Sequence, residues 1–355
     1  MEYKVAVLYQ AVAAPKVDGI VKPMKDGGYS DSGADIAYAL KKQNIDVVTP
    51  VNEPELSMDL DWVFPDTVEG IQSAIDKGAT IVWLNTVLYQ GHPIESFIAR
   101  GVAVVGQVPK NVGLYDDKLV TNALLSAHHL PIPKSVVIAH KDANNFKIVF
   151  PFPVVAKPIR GRGSQGVSLA RDMRELTNAL SEMFGEGNFG GALYVEEFLS
   201  GQELTITVMP PGMYKINHVA ILKESYWSLP PVRRFNHENG IAPYNGTVAV
   251  IHNSEVLSDT EMAQEKVKQL CGFCEQAAIL VEAKAPIRID CRADANGKFY
   301  LFDLNMKPNM TGASRPHRAE QDSLTALAAR KIGWTFPDLL LNMLNQHWSG
   351  LSLDK

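Results

Sequence analysis

Three cysteines among 355 residues cannot staple a chain of this length, which fits a reducing compartment rather than a disulfide framework. No uninterrupted apolar stretch approaches the roughly 18 residues of a membrane-spanning helix. No long Lys/Arg block occurs, and 34 Lys+Arg against 39 Asp+Glu leave a net charge of −5, so the electrostatic footprint of a general nucleic-acid binder is missing. Neither G-x-S-x-G nor G-x-x-x-x-G-K-[ST] is present, which removes the signatures of a serine hydrolase and of a P-loop NTPase. The histidines, including the His128-His129 pair, show no spacing with Cys or Asp that suggests zinc. What remains, with 46% hydrophobic and 21% charged residues, is ordinary water-soluble usage spread over two or three domains and directed at small ligands.

The opening Met1-Glu2-Tyr3-Lys4 and VAVLYQAVAA place Glu2 and Gln10 where a signal peptide needs basic and then apolar residues. Val5 to Tyr9 therefore reads as a first buried strand, and the cytoplasm is the expected location. Cys271-Gly-Phe-Cys274 has redox spacing, but it lies in a helix opened by Ser258-x-x-Glu261. There Val267, Leu270, Cys274 and Ala277 recur at helical spacing, so core packing is the expectation.

Residues 1–112 alternate short apolar runs with helical patterns. Strands are expected at Val5 to Tyr9, Ile45 to Thr49, Trp62 to Phe64, Thr80 to Leu84 and Val102 to Val105, with helices such as Ser32 to Gln43 and Thr67 to Lys77 between them. That alternation implies crossovers, hence an open, largely parallel α/β sheet. Residues 113–200 read as a small central α+β domain: a helix after Asp116-Asp117, strands at Ser135 to Ala139, Pro153 to Lys157, Val167 to Ala170 and Leu193 to Glu197, and a helix near Arg171 to Met183. Residues 201–355 form a third, α+β unit with strands around 204–209, 216–222, 247–251, 286–292 and 298–305 and helices near 259–280 and 323–345.

Gly161-Arg-Gly163-Ser164-Gln-Gly166 satisfies G-x-G-x-x-G, a weak pattern alone. A strand rather than a helix follows, so the loop is drawn as a hairpin tip able to lie over phosphates and offer backbone N–H groups. Lys157, at the end of the entering strand, supplies a cation there. Further on, API-Arg288-Ile-Asp290-Cys-Arg292 and KFYLF-Asp303-Leu-Asn305 flank Asn296-Gly297, a two-residue turn signal. Centring a hairpin on that turn pairs Ala295 with Lys298, Asp290 with Asp303 and Arg288 with Asn305. Alternation then puts Arg288, Asp290, Asp303 and Asn305 on the face opposite Ile289 and Phe302. Opposed carboxylates repel, and a hard divalent cation such as Mg²⁺, with phosphate oxygens completing its shell, offsets that. An acid–base ladder neutralised by Arg288 and Arg292 is the alternative.

A lysine ahead of a Gly-rich hairpin, then Val195-Glu196-Glu197-Phe198-Leu199-x-Gly-x-Glu203, then R-x-D…D-x-N, resembles in order and spacing the ATP-grasp superfamily, and within it the D-alanine–D-alanine ligase group. The resemblance implies three domains: an N-terminal open parallel α/β sheet, a small central α+β lid, and a C-terminal α+β domain with an antiparallel sheet. It implies that Lys118 and Lys157 contact phosphates, that Gly161 to Gly166 cover them, and that Glu196, Glu197, Phe198 and Leu199 hold adenine while Glu203 binds ribose. Asp290, Asp303 and Asn305 match magnesium ligands, two ions being expected with Mn²⁺ as a substitute. Arg288 matches the arginine that stabilises the transferred phosphoryl group, and Asn309 and Ser314 fall where the family binds substrate carboxylate. The implied reaction is ATP-dependent joining of a small carboxylate to an amine through an acylphosphate.

Substrate positions diverge from that group. Gly163 stands where its loop serine is expected, Asn309 replaces a glycine, and AVAAPKVDGIVKPMKDGGYSDSG lacks its first Gly-rich turn with an amine-binding Glu. Arg233 and Arg234, His92 and Glu95 beside Gly91, and Arg315 with its neighbours are further substrate candidates. Rival readings are an ATP-grasp enzyme with a non-amino-acid or intramolecular acceptor, and a nucleotide-binding regulator without turnover. Neither nucleic acid nor membrane is an expected partner, and a homodimer is the candidate assembly.

Overall fold

Short apolar runs with helical stripes between them yield the expected parallel sheet. The computed structural model describes residues 3–20, 22–143, 145–161, 165–237, 240–241 and 250–350. The first unit contains β1 (Lys4–Tyr9), α1 (Ser30–Lys42), β2 (Asp46–Val47), β3 (Phe64–Pro65), α2 (Val68–Asp76), β4 (Ile81–Trp83), α3 (Ile94–Ala99), β5 (Ala103–Val105) and α4 (Pro109–Tyr115). Its strands run in the order β2-β1-β4-β5, with β3 also paired to β1, and all pairings are parallel. Val5, Ala6, Val7 and Leu8 are all fully buried, as a strand covered on both faces requires.

Asp117 then caps α5 (Lys118–Ala127) by accepting from the Leu119 and Val120 amides. The chain continues through β6 (Ser135–Ala139), β7 (Val154–Pro158), β8 (Ser168–Ala170), α6 (Met173–Glu186) and β9 (Ala192–Glu197). These strands form an antiparallel sheet in the order β6-β9-β7-β8. Gly187, at φ 70°, ends α6 in the left-handed conformation that a glycine adopts without steric cost.

The last unit holds β10 (Glu203–Met209), β11 (Gly212–Ile216), β12 (Val219–Lys223), β13 (Trp227–Ser228), β14 (Val232–Arg234), β15 (Ser254–Val256), α7 (Asp259–Met262), α8 (Glu265–Leu280), β16 (Ile287–Ala293), β17 (Phe299–Asn305), α9 (Leu324–Lys331) and α10 (Phe336–Leu344). Its main sheet runs β15-β14-β10-β16-β17, with β13 on β10, and its pairings are antiparallel. Among the described residues no helix is long and apolar enough to cross a membrane.

Several sequence expectations need correction. The strand expected at 216–222 is a hairpin, β11/β12, because Asn217 and His218 both take positive φ and turn the chain. Val250–His252 form a 3₁₀ turn, and 247–249 lie outside the described residues. The helix expected at 259–280 breaks at Gln264, whose ψ of 135° is extended, and the one at 323–345 breaks between α9 and α10 at Gly333, φ 84°. The Ser258–Glu261 capping box is formed. Cys274 is fully buried with its Sγ 3.6 Å from that of Cys291, and burial pushes the Cys271 thiol up to about 12, so the pair of cysteines on α8 packs rather than reacts.

Packing unites the first and last units. One cluster joins Ala6, Leu8 and Val82 to Leu204, Ile206, Ile287 and Ile289, and a second joins Val5, Val7 and Leu40 to Met209, Leu339 and Leu340. The four-stranded sheet has a separate core of Ile138, Phe150, Val154, Ala156, Ala170, Leu176, Leu180, Met183, Leu193 and Val195.

Candidate nucleotide and metal site

The hairpin β16/β17 forms one wall of a cavity of about 610 Å³, and β7, β9, Gly161 and Gln165 face it. The outer register is the one expected: Arg288 pairs with Asn305 and Asp290 with Asp303. It is reached by a different route. Asp294, not Ala295, pairs with Lys298 at the turn, through an Asp294 amide to Lys298 carbonyl bond of 2.8 Å, and Gly297 takes φ 81°. The ladder is then one residue out until an irregularity between Asp290 and Cys291 restores the pairing. Phe302, expected on the far face, consequently lines the cavity.

Each acid in this wall meets a cation or a donor. Asp303 Oδ1 is 3.1 Å from Lys118 Nζ, and Asp290 is 3.4 Å from Arg288 and accepts from the Thr205 hydroxyl at 2.6 Å. Desolvation pushes the Asp303 carboxyl up, but Lys118 and Lys157 outweigh it and hold the group below its ordinary range. Lys118 is raised in turn: burial opposes its charge, and Asp303 more than restores it. Asn305 Oδ1 accepts from the Lys307 amide at 3.0 Å and lines the same cavity.

The opposite wall is built around Lys157, which is 4% exposed on β7. Its ammonium lies 2.6 Å from Glu196 Oε1 and donates to the Phe302 carbonyl at 3.1 Å. Burial pushes the Glu196 carboxyl up against the pull of Lys157 and Lys118. Glu196, Glu197, Phe198 and Leu199, at and just past the end of β9, all line the cavity. Glu203 opens β10, 2.8 Å from His237 Nε2 and 3.7 Å from Arg292. Arg292 stacks over the Phe198 ring at 4.8 Å rather than neutralising the hairpin acids.

Other expected site residues divide. Gly161, Arg234 and Asn309 line the cavity. Gly166 turns the chain into β8 at φ 68°, pressed against the Phe189 ring, while Gly163 and Ser164 lie outside the described residues. The structure puts His92, Glu95, Arg233, Ser314 and Arg315 outside the lining, each engaged elsewhere. His92 Nδ1 accepts from the Ile94 amide, which leaves the proton on Nε2, facing Asp66 at 3.3 Å. Glu95 accepts from the Gly91 amide at 3.0 Å, and Arg233 pairs with Glu255 and Glu261. Ser314 donates to Asp35. Arg315, fully buried, pairs with Asp35 at 3.0 Å and Asp59 at 2.7 Å. Thr205, Phe302 and Arg292 join the site without having been singled out as ligand contacts; strand alternation from Glu203 and Asp290 was the only signal for Thr205 and Arg292, and for Phe302 it pointed to the wrong face.

Two orphaned atoms test the fit to a nucleotide. Glu196 Oε2 is a buried acceptor and Arg288 Nε a buried donor, neither with a hydrogen-bond partner in the structure. An amino group on a purine satisfies the first and a phosphate oxygen the second. Asp290, Asp303 and Asn305 offer only oxygens, as Mg²⁺ requires. Among the described residues no group of three His, Cys, Asp or Glu could hold a metal.

The family model described as D-ala D-ala ligase C-terminus matches residues 124–345. The D-alanine–D-alanine ligase of Francisella philomiragia is 24% identical over 246 residues, covering 69% of this chain and 72% of its own. That of Pseudoalteromonas translucida is 29% identical over 219 residues, 60% and 61% of the two chains. Among solved structures, a Bacillus anthracis D-alanine–D-alanine ligase complexed with ATP has a TM-score of 0.64 at 16% identity, covering 99% of this chain and 98% of that one. The VanG D-Ala:D-Ser ligase of Enterococcus faecalis gives 0.63 at 14%, covering 98% and 99%. The fold, an α/β sheet with two α+β units around a cleft, is that of the ATP-grasp enzymes. Within that class the chain belongs to the D-alanine–D-alanine ligase family. It is an ATP-dependent ligase forming carbon–nitrogen bonds, using ATP, a divalent metal and small-molecule substrates.

Proposed function

We propose that this chain joins the carboxylate of one small amino acid, or a related acid, to the amine of another through an acylphosphate. The units 1–112, 113–200 and 201–355 act as N-terminal, lid and C-terminal domains of a cytoplasmic enzyme. The observation that carries the reading is the Asp290–Asp303 pairing across β16/β17, with Arg288 and Asn305 two residues along the same ladder and Lys118 on Asp303.

In this reading adenine stacks beside Phe302, its amino group meets Glu196 Oε2, and Glu203 receives the ribose. Lys118 and Lys157 hold phosphate oxygens. Asp290, Asp303 and Asn305 would hold two magnesium ions, or Mn²⁺ in their place, which would supply neutralisation of the phosphate charge. An oxygen of the substrate carboxylate attacks the γ-phosphorus, the bond to the β-phosphate oxygen breaks, and ADP leaves. Arg288 Nε and its terminal nitrogens stabilise charge on the transferred group. The amine then attacks the acyl carbon, phosphate departs, and the nitrogen loses its proton. The lid excludes water that would hydrolyse the acylphosphate.

ADP release across a panel of amino acids and small carboxylates with Mg²⁺ tests this. Release requiring both a carboxylate and an amine is expected, and hydroxylamine should intercept the activated acid as a hydroxamate. Nucleotide binding with no release under any pairing would overturn the proposal.

A further inference from the structure

The loop between β1 and α1 leaves the parallel sheet, touches the lid and comes back. Its base is held by Gln10 and Gly28: the Gln10 amide donates to the Gly28 carbonyl at 2.8 Å, and a Cβ on Gly28 would sit 1.8 Å from the Gln10 carbonyl oxygen, so only glycine fits. At the far end Val17 and Ile20 exchange backbone hydrogen bonds of 3.2 and 2.8 Å around Asp18 and Gly19. The φ values of those two residues, 50° and 81°, make the tight turn that an Asp-Gly pair favours. On the returning arm Pro23, Met24, Lys25 and Tyr29 line the cavity, and Lys307 Nζ lies 3.5 Å from the Tyr29 ring centroid.

The tip meets the lid at three places. Ile20, 5% exposed, packs with Ile159 and Tyr194 and is opposed to Phe189 in an antiparallel bridge. Gly190 permits that approach, since a Cβ there would come within 2.8 Å of the Asp18 carbonyl oxygen and of the Ile20 side chain. Lys22 pairs with Asp116, the acid that Arg160 approaches at 3.9 Å. These contacts fall at both ends of the Gly-rich loop. Ile159 and Arg160 lead into it, and the Ile159 carbonyl accepts from the Lys118 amide at 3.1 Å. Phe189 presses on Gly166, where the loop leaves for β8. One apolar side chain, one bridge and one ion pair make a small contact, and units joined by small contacts move relative to one another.

We propose that residues 17–20 and 22–29 are a strap that latches the lid. Fastening the Gly-rich loop over the phosphates and walling in the substrates are then one event, reversed in every turnover to let products out. This deepens the ligase reading and rests on it. An acylphosphate is destroyed by water, so a cover over the phosphates protects it only when the cavity is shut on the substrate side at the same moment.

A covalent latch tests this in the full chain. Residues opposed in an antiparallel bridge have Cα atoms about 4.5–5.5 Å apart, within the span of a disulfide, so Ile20→Cys combined with Phe189→Cys can be locked and unlocked. Dissociation of MgADP, followed in stopped flow by displacement with a fluorescent ADP analogue, is expected to slow about tenfold or more on oxidation, and turnover to fall by a similar factor. Dithiothreitol should reverse both, and Ile20→Cys alone should show neither. A pair that will not cross-link, or an oxidised pair that releases MgADP at its reduced rate, would overturn the latch. Ile20→Ser loosens the same contact. ADP formed per amide formed is expected to rise roughly twofold or more in that variant, as water reaches the activated acid. An unchanged ratio would leave Ile20 with packing alone and overturn the shielding role. Failure of the ligase reading shows separately, as absent ADP release from ATP with every pair of substrates while oxidation still traps MgADP.

Discussion

The β16/β17 wall of the cleft and the β7/β9 wall both carry buried ion pairs, yet they are anchored differently. Behind β16 lie Ile287, Ile289 and Cys291, all 0% exposed and part of a cluster that reaches Ala6 and Val82 in the parallel sheet. Behind β7 and β9 lies a core confined to residues 138–195. The first wall is thus fixed to two sheets at once, while the second rests mainly on a core of its own. In the proposed reaction this division would let metal ligands stay fixed while a separate unit covers the nucleotide.

The comparison can be broken at several points. Asp303→Ala should lower turnover by on the order of a hundredfold or more, because it removes a charge that Lys118 pairs with and that the proposed metal would use, while leaving the thermal transition near that of wild type. Wild-type, Mg²⁺-dependent ADP release by this variant would show that the hairpin wall is not the reacting one. Next in size, Arg315→Met should destabilise the protein by about 3–5 kcal/mol in denaturant titration, since it strands fully buried Asp35. A loss below about 1 kcal/mol would mean Arg318, 2.7 Å from Asp35, suffices.

Leu180→Ala in the lid core and Ile289→Ala behind the hairpin should each cost about 2–5 kcal/mol, but in different places. Hydrogen exchange should rise mainly across 135–197 in the first variant and across both larger sheets in the second. Matching exchange patterns would show one cooperative body and remove the contrast.

The smallest effect concerns pH. Asp303, held below its ordinary 3.8, contributes stability that is present above that value and lost as pH falls through its folded value. Glu196, raised above its ordinary 4.5, behaves oppositely: its contribution is full below that value and declines as pH rises through its folded value. Acid titration of Asp303→Asn should therefore flatten the stability loss below about pH 4, and that of Glu196→Gln should raise stability at neutral pH relative to acid. Parallel curves for the two variants would contradict the assigned directions.

Most of the hairpin chemistry was legible in the sequence, because strand alternation has period two and a turn signal fixes its phase. Even so, the Asp290–Asp303 pairing survives only through compensation: the turn holds one residue more than Asn296-Gly297 suggests, and the irregularity beside Cys291 takes it back. His92, Arg233, Ser314 and Arg315 carried the right chemistry for ligands, but the sequence held no trace of Asp66, Glu255 or Asp35, the distant partners that occupy them. Met24, Lys25 and Tyr29 escaped notice for the converse reason. Their loop has no periodicity, and its place beside Lys307 follows from packing between segments almost 280 residues apart.

Local order is what the chain wrote directly: which stretches extend or coil, where helices are capped, and which side of a β-ribbon its acids share. Those depend on spacings of two to four residues, which any reader of the string can count. Which charged groups face the cleft, which are consumed inside, and which core each sheet joins were settled only on folding, because pairing between remote side chains depends on where whole sheets come to rest.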